Sequence, residues 1–362
     1  MPPLVALDAR MWDHPGIGRY VCQLAREFAT TPDWRFLLIA GGRPDLERGP
    51  GSEYRASTSR IYSIREHFEV PRLARGAALL HVPHFNVPLG WPGPLVVTVH
   101  DLLYLHDPAA SRSAFGPAYL RFLLRRIRRR AAAVLTVSEA TRRDLIENAG
   151  IPGDRIFVTP EAASAEFRPL QDDARALDRV RREKHLEKPF ILHVGTLKPH
   201  KNVQLLIRAV ERLRERGLPH ELVLVGRKDA RQKALMDLVD SKPFVRHLGV
   251  VSDPELAALY SLTDAFVIPS LIEGFGLPLL EAMACGAPCL ASDRSSLPEV
   301  LGPEGVYFDP ERVDALEAVL YNVLQNRELR QKMSVAAMNR ARHFSWRKTA
   351  EQTLQVYQQA LA

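Results

Sequence analysis

Short, continuous apolar runs alternate with stretches of helical periodicity along the whole chain. In the first half, residues 4–7, 36–39, 79–82, 95–99, 133–137 and 156–158 are runs of strand length, rich in Leu, Val and Ile. Strands covered on both faces read this way, because neither side of the sheet meets water. Their alternation with helical segments predicts βαβ units and a parallel sheet. The second half repeats the scheme with residues 190–194, 222–225, 245–248, 265–268 and 289–292. After its first strand, Val203, Leu206, Ile207, Val210 and Leu213 share one helical face, and Gly217 follows as a stop. Residues 161–188 lose this regularity and read as a linker, so a chain of 362 residues is expected to form two α/β domains rather than one core.

The polar groups that stand out fall at the carboxyl ends of these strands, where open α/β sheets bind ligands. Gly16 and Gly18 lie between the first strand and a helix over 21–28; the third glycine of a dinucleotide fingerprint is missing, and a plain tight turn stays open. His100 and Asp101 end the strand 95–99. Asp101 is read as orienting the imidazole or the acceptor, with a turn cap as its alternative. Thr196, Lys198 and Lys201 stand where the strand 190–194 hands over to a helix, a place where ammonium groups and the helix dipole both favour a diphosphate. Arg227 follows the strand 222–225 in the same way. The most informative stretch is 270–281, with Glu273, Gly274, Phe275, Gly276, Leu277 and Glu281: a strand-to-helix crossing whose glycines admit a ligand close to the backbone and whose carboxylates stand eight positions apart.

Composition narrows the picture. Hydrophobic residues at 46% and charged ones at 25% describe a soluble globular protein, and no apolar run approaches the ~20 residues of a spanning helix. The first eight residues read as a strand rather than a signal segment, so a cytoplasmic protein is expected. Cys22, Cys285 and Cys289 have no CxxC partner and read as small buried residues. The net charge of +7 favours an anionic partner. Residues 119–130 hold six arginines and no acid around an apolar stripe of Leu120, Leu123, Leu124 and Ile127. A core-packing helix with a solvated basic face and a contact with anionic membrane, on the inner face, both fit. Aromatic residues between the basic ones are sparse, which argues against nucleic acid.

The pair Glu273 and Glu281, with Asp253-Pro254-Glu255-Leu256, Cys285-Gly286-Ala287-Pro288 and Ser296-Leu297-Pro298-Glu299-Val300, resembles the E-x7-E signature and surrounding text of the retaining family 4 glycosyltransferases, bacterial mannosyltransferases in particular. That resemblance implies the GT-B fold: two Rossmann-like α/β domains facing across a cleft, with a C-terminal helix crossing back to the N-terminal domain. It divides the chain into 1–165 plus 345–362 on the acceptor side and 166–344 for the nucleotide sugar. By it, Glu281 holds the ribose hydroxyls, Glu273 contacts the donor sugar, and the N–H groups of Phe275, Gly276 and Leu277 face the diphosphate. Lys201 is the phosphate lysine, while Thr196 stands where the family often has arginine, leaving Lys198 and Arg227 to supply the second positive charge. The loop containing Val251 resembles the nucleobase contact, Gly16 and Gly18 the loop beside the donor phosphate, and His100 the histidine that touches the donor sugar.

The expected activity is transfer of a sugar, mannose from GDP-mannose, to a glycan or lipid-linked acceptor of surface polysaccharide synthesis, with retained configuration, no metal and no cofactor. A UDP-sugar donor is the nearest alternative. A non-hydrolysing epimerase, a phosphorylase using pyridoxal phosphate and an inactive membrane-docking scaffold are the others.

Overall fold

The computed structural model describes residues 2–42, 52–107 and 116–362. It divides into two compact units, Met1–Glu161 with Ser345–Ala362, and Ala162–Phe344.

The first unit is a parallel sheet of seven strands: β1 (Leu4–Asp8), β2 (Arg35–Ala40), β3 (Glu53–Ala56), β4 (Leu79–Val82), β5 (Leu95–Val99), β6 (Ala133–Thr136) and β7 (Ile156–Val158). Their order is β3-β2-β1-β4-β5-β6-β7, so the winding reverses between β1 and β4. The helices are α1 (Ile17–Ala29), α2 (Glu66–Leu73), α3 (Leu103–His106), α4 (Gly116–Arg130) and α5 (Glu139–Ala149). On α4, Leu120, Leu124 and Ile127 are buried in the core with β4, β5 and β6 and Leu123 is fully buried beside them on the helix, and each such side chain contributes about 1.5–3 kcal/mol relative to exposure. Ser138 caps α5 by accepting from the Thr141 N–H.

The second unit contains α6 (Ala174–Glu183), β8 (Phe190–Val194), α7 (Val203–Glu215), β9 (Glu221–Val225), α8 (Lys233–Ser241), β10 (Val245–His247), α9 (Asp253–Leu262), β11 (Ala265–Ile268), α10 (Leu277–Ala284), β12 (Cys289–Ser292), α11 (Leu297–Leu301), β13 (Val306–Phe308), α12 (Val313–Gln325) and α13 (Arg327–Ala341). Its sheet runs β10-β9-β8-β11-β12-β13, all parallel, with the reversal between β8 and β11. The apolar face of α7 packs with α12 over this sheet.

Two expectations need correction. Residues 174–183, read as part of a linker, form α6 and pack on α9 within the second unit. Strands β3 and β13 were not expected: β3 is a polar edge strand paired, among the described residues, with β2 alone, and β13 is three residues long. The last helix, α14 (Trp346–Leu361), belongs to the first unit, where it packs on α1, β4, β5 and β6. Ser345 caps it by accepting from the Lys348 N–H. Its buried Tyr357 hydroxyl lies 2.6 Å from His81 Nδ1. Among the described residues no helix is long and apolar enough to cross a membrane.

Candidate active site

In the second unit the turns after β8 and β11 are built against each other. The Leu271 N–H donates to the His200 carbonyl (2.8 Å), which joins the 195–202 turn to the 270–276 loop. Across that join Lys201 Nζ donates to both oxygens of Glu273, at 2.6 and 2.8 Å, and Ser270 Oγ donates to Oε1 at 2.6 Å. Burial alone would raise the pKa of Glu273, but the adjacent Lys201 ammonium and these hydrogen bonds hold it below the usual glutamate value. A charged pair with side-chain exposures of only 16% and 9% therefore sits at the strand ends.

The 270–277 loop is held by its carbonyls. Ser292 Oγ donates to the Ser270 carbonyl, Ser295 Oγ to that of Glu273 (2.7 Å), and Ser296 Oγ to those of Glu273 (3.0 Å) and Phe275 (2.9 Å). The N–H groups of Phe275, Gly276 and Leu277 have no acceptor among the described residues and open the N-terminus of α10. Gly276 has φ +95°, and a Cβ there would lie 2.7 Å from Leu297 Cδ2, so both backbone and packing require glycine. Glu281, one turn into α10, is buried and accepts from the Tyr260 hydroxyl at 3.3 Å.

Around this centre the remaining candidate residues of the second unit take varied positions. Thr196 is pressed against Gly226, where a Cβ would come within 2.0 Å of the Gly195 carbonyl oxygen. Lys198 is half-buried and its charge reaches Asp229, which Arg231 foremost and Lys198 in part hold down to about 2. Arg227 is exposed, and Val251 lies half-buried between β10 and α9. His193, at the end of β8, donates its Nδ1–H to the Val267 carbonyl (2.9 Å), and its Nε2 has no partner among the described residues. Burial pushes it down to about 4, so it lies neutral close to Lys201 and Glu273.

In the first unit, Gly16 (φ +83°) is exposed at the start of α1. Gly18 is buried with its N–H donated to the His14 carbonyl, and a Cβ on it would lie 2.4 Å from the Trp12 oxygen; packing explains that glycine, and only Gly16 presents its backbone outward. His100 projects from the end of β5 with Nε2 3.2 Å from the Pro83 carbonyl and the edge of Tyr20 packed on its ring at 4.9 Å. Asp101 does not orient it: its Oδ1 accepts from the Leu103 N–H at 3.0 Å, in the turn that leads into α3. The carboxylate that faces His100 is Glu161, with Oε1 3.4 Å from Nδ1. Glu161 escaped the sequence reading because it fell in the supposed linker; the available signal was an acid just beyond a strand, β7, in line with the other strand-end groups. Among the described residues no group of three His, Cys, Asp or Glu could hold a metal ion.

Residues 15–167 match the model of Glycosyltransferase Family 4 and residues 175–340 that of Glycosyl transferases group 1. O-antigen chain mannosyltransferase B of Escherichia coli is 30% identical, over 94% of this chain and 95% of its own length. The chain belongs to the family 4 glycosyltransferases. This glycosyltransferase is also 33% identical to the MMP alpha-(1->4)-mannosyltransferase of Mycolicibacterium hassiacum, over 74% of the chain and 66% of that protein. Sucrose-phosphate synthase from Thermosynechococcus elongatus superposes with a TM-score of 0.82 at 22% identity, over 99% of the enzyme and 98% of that chain. Anabaena Alr3699/HepE, solved with UDP and glucose, gives 0.79 at 17% identity, over 99% and 100%. The fold of the glycosyltransferase is GT-B.

Proposed function

We propose that this glycosyltransferase moves mannose from a nucleotide sugar, with GDP-mannose as donor, onto a glycan or lipid-linked acceptor of surface polysaccharide synthesis, and that it retains the anomeric configuration. The names of the relatives support mannose; the observation that carries the donor site is the Lys201–Glu273 pair beside the N–H groups of residues 275–277, which have no acceptor among the described residues. When a diphosphate arrives, Lys201 exchanges one carboxylate partner for phosphate oxygens, and Glu273 is released toward the sugar hydroxyls. The three N–H groups and the dipole of α10 take part of the charge that grows on the leaving diphosphate, a kind of donor that is worth roughly 3–4 kcal/mol each. Lys201 and this backbone therefore do the work a metal does elsewhere, and no cofactor is invoked. Glu281, braced by the buried Tyr260 hydroxyl, holds the ribose, and His100 acts at the donor sugar. A leaving-group oxygen takes the acceptor's proton.

The test is thermal unfolding against GDP, GDP-mannose, UDP and UDP-sugars. A donor at ~100 times its dissociation constant stabilises by about 2.7 kcal/mol. Stabilisation by GDP compounds alone supports the reading; stabilisation by UDP compounds alone removes mannose and leaves the family.

The same reading places the enzyme on an anionic membrane. Arg121, Arg125 and Arg129 recur every four residues on the outer face of α4, beside the exposed Phe122. His67 of α2 and Tyr119 of α4 meet at 3.1 Å, and α2 carries the exposed Phe68. Each arginine near such a surface contributes about 1 kcal/mol. Vesicles containing anionic lipid should sediment the enzyme, neutral vesicles should not, and an R121E/R125E/R129E variant should stay in the supernatant; equal sedimentation of variant and parent refutes the contact.

A further inference from the structure

We infer that Glu161 is a positioning residue for His100, held to that task by α14. This rests on the reading in which His100 acts in sugar transfer. His100 is fixed on every side the structure describes. Its carbonyl accepts from Thr141 Oγ1 at 3.1 Å, its Nε2 meets the Pro83 carbonyl at 3.2 Å, and its Nδ1 faces Glu161 Oε1 at 3.4 Å. Both ring neighbours are acceptors, one at each nitrogen, so the ring is held in its plane between them. A carboxylate at one ring nitrogen is what fixes the tautomer and the plane of a working histidine.

Glu161 is itself buried, at 6% exposure, which is costly for a carboxylate that only fills space. It ends the first of the two segments that make up its unit, and its position is set from α14. Thr349 Oγ1 donates to the carbonyl of Pro160, the residue before it. The same helix supports the other wall of the histidine. Tyr357 meets His81 Nδ1 at 2.6 Å, His81 Nε2 meets Thr98 Oγ1 at 2.8 Å, and Thr98 Oγ1 meets the Tyr20 hydroxyl at 3.1 Å. Tyr20 in turn packs edge-on against His100, and Trp346 packs on Tyr20 with ring centroids 6.1 Å apart. Helix α14 thus reaches both groups that hold the ring, by the backbone at Pro160 and by a buried hydrogen-bonded chain at Tyr20. None of these groups needs to touch substrate.

The experiment is steady-state sugar transfer with Glu161→Met, Glu161→Gln, His100→Ala and the His100→Ala/Glu161→Met double variant, alongside nucleotide affinity for each. Methionine keeps the buried volume and removes the acceptor; glutamine restores an acceptor oxygen. E161M should lower kcat on the order of 10²-fold, the loss expected of a misplaced group, with nucleotide affinity unchanged. E161Q should recover most of that loss, and E161M should add nothing in the H100A background. Wild-type kcat in E161M beside a crippled H100A overturns the positioning role alone, as does a loss that E161Q fails to recover or that adds to H100A. Full activity in H100A instead overturns the reading beneath it. If E161M does not fold, Thr349→Val probes the other end of the brace: a fall in kcat at unchanged nucleotide affinity supports the role, and wild-type kcat refutes it.

Discussion

Removing Lys201 should change the pH dependence of stability as well as activity. In the parent, Glu273 is held below the usual glutamate value, so the unfolded chain binds the proton more readily. The pair's contribution is therefore complete above the ordinary carboxylate range and is lost as pH falls through the lower, folded value. Lys201→Ala takes away the cation and leaves a carboxylate whose side chain is only 9% exposed, still hydrogen-bonded to the Ser270 hydroxyl at 2.6 Å in the loop. Breaking one half of a buried pair costs about 3–5 kcal/mol; the residual exposure of both groups brings the expectation here to about 2–4 kcal/mol at pH 7.5. Burial, the largest influence on Glu273, then outweighs the remaining Ser270 hydrogen bond and the charge of His200 and pushes it above the usual value. The sign reverses: the variant should gain stability as pH falls through that raised value, while the parent does not. Denaturant unfolding of parent, K201A, E273Q and K201A/E273Q between pH 7.5 and 5 measures this, with the double variant regaining part of the loss. A K201A loss below about 0.5 kcal/mol, or parallel pH curves for K201A and parent, would refute the account of the pair.

Three other substitutions or titrations follow from the geometry. Gly276→Ala should cost about 1–3 kcal/mol by melting and weaken nucleotide binding, because the residue has a left-handed backbone and its Cβ meets Leu297; adding Leu297→Ala should return only the steric part. Tyr357→Phe leaves buried His81 Nδ1 unpaired and should destabilise by about 1–3 kcal/mol in denaturant without altering nucleotide affinity. His81 and His193 are buried and neutral, lowered by desolvation to about 3 and about 4, so the unfolded chain takes up protons first; stability should fall as pH drops from about 6.5 toward 4, and His193→Asn should flatten that fall in a pH series of melting temperatures.

The strands that could be read from the sequence are those with continuous apolar runs, such as β5 and β11, because burial on both faces removes every polar position. β3 has the sequence Glu-Tyr-Arg-Ala and one neighbour, so an edge strand here carries no such signature. α6 buries only Val180 fully, and its charged remainder looked like a linker. The destination of α14 came from resemblance to the family, since helical periodicity marks a buried face without saying which sheet receives it. Lys201, Glu273 and Glu281 were legible because strand ends, glycines and a helix start lie within a few positions of them. Glu161 was not, since its meeting with His100 joins two strand ends 61 positions apart, and adjacency in sequence pointed to Asp101 instead.

The central claim is that Lys201 and the backbone at 275–277 hold the paired phosphates of the donor. Calorimetric titration of the nucleoside diphosphate and monophosphate of the preferred base into parent and Lys201→Ala tests it directly. The parent should bind the diphosphate far more tightly than the monophosphate, and the substitution should remove most of that preference while leaving monophosphate affinity nearly the same. An undiminished preference in K201A would contradict the claim.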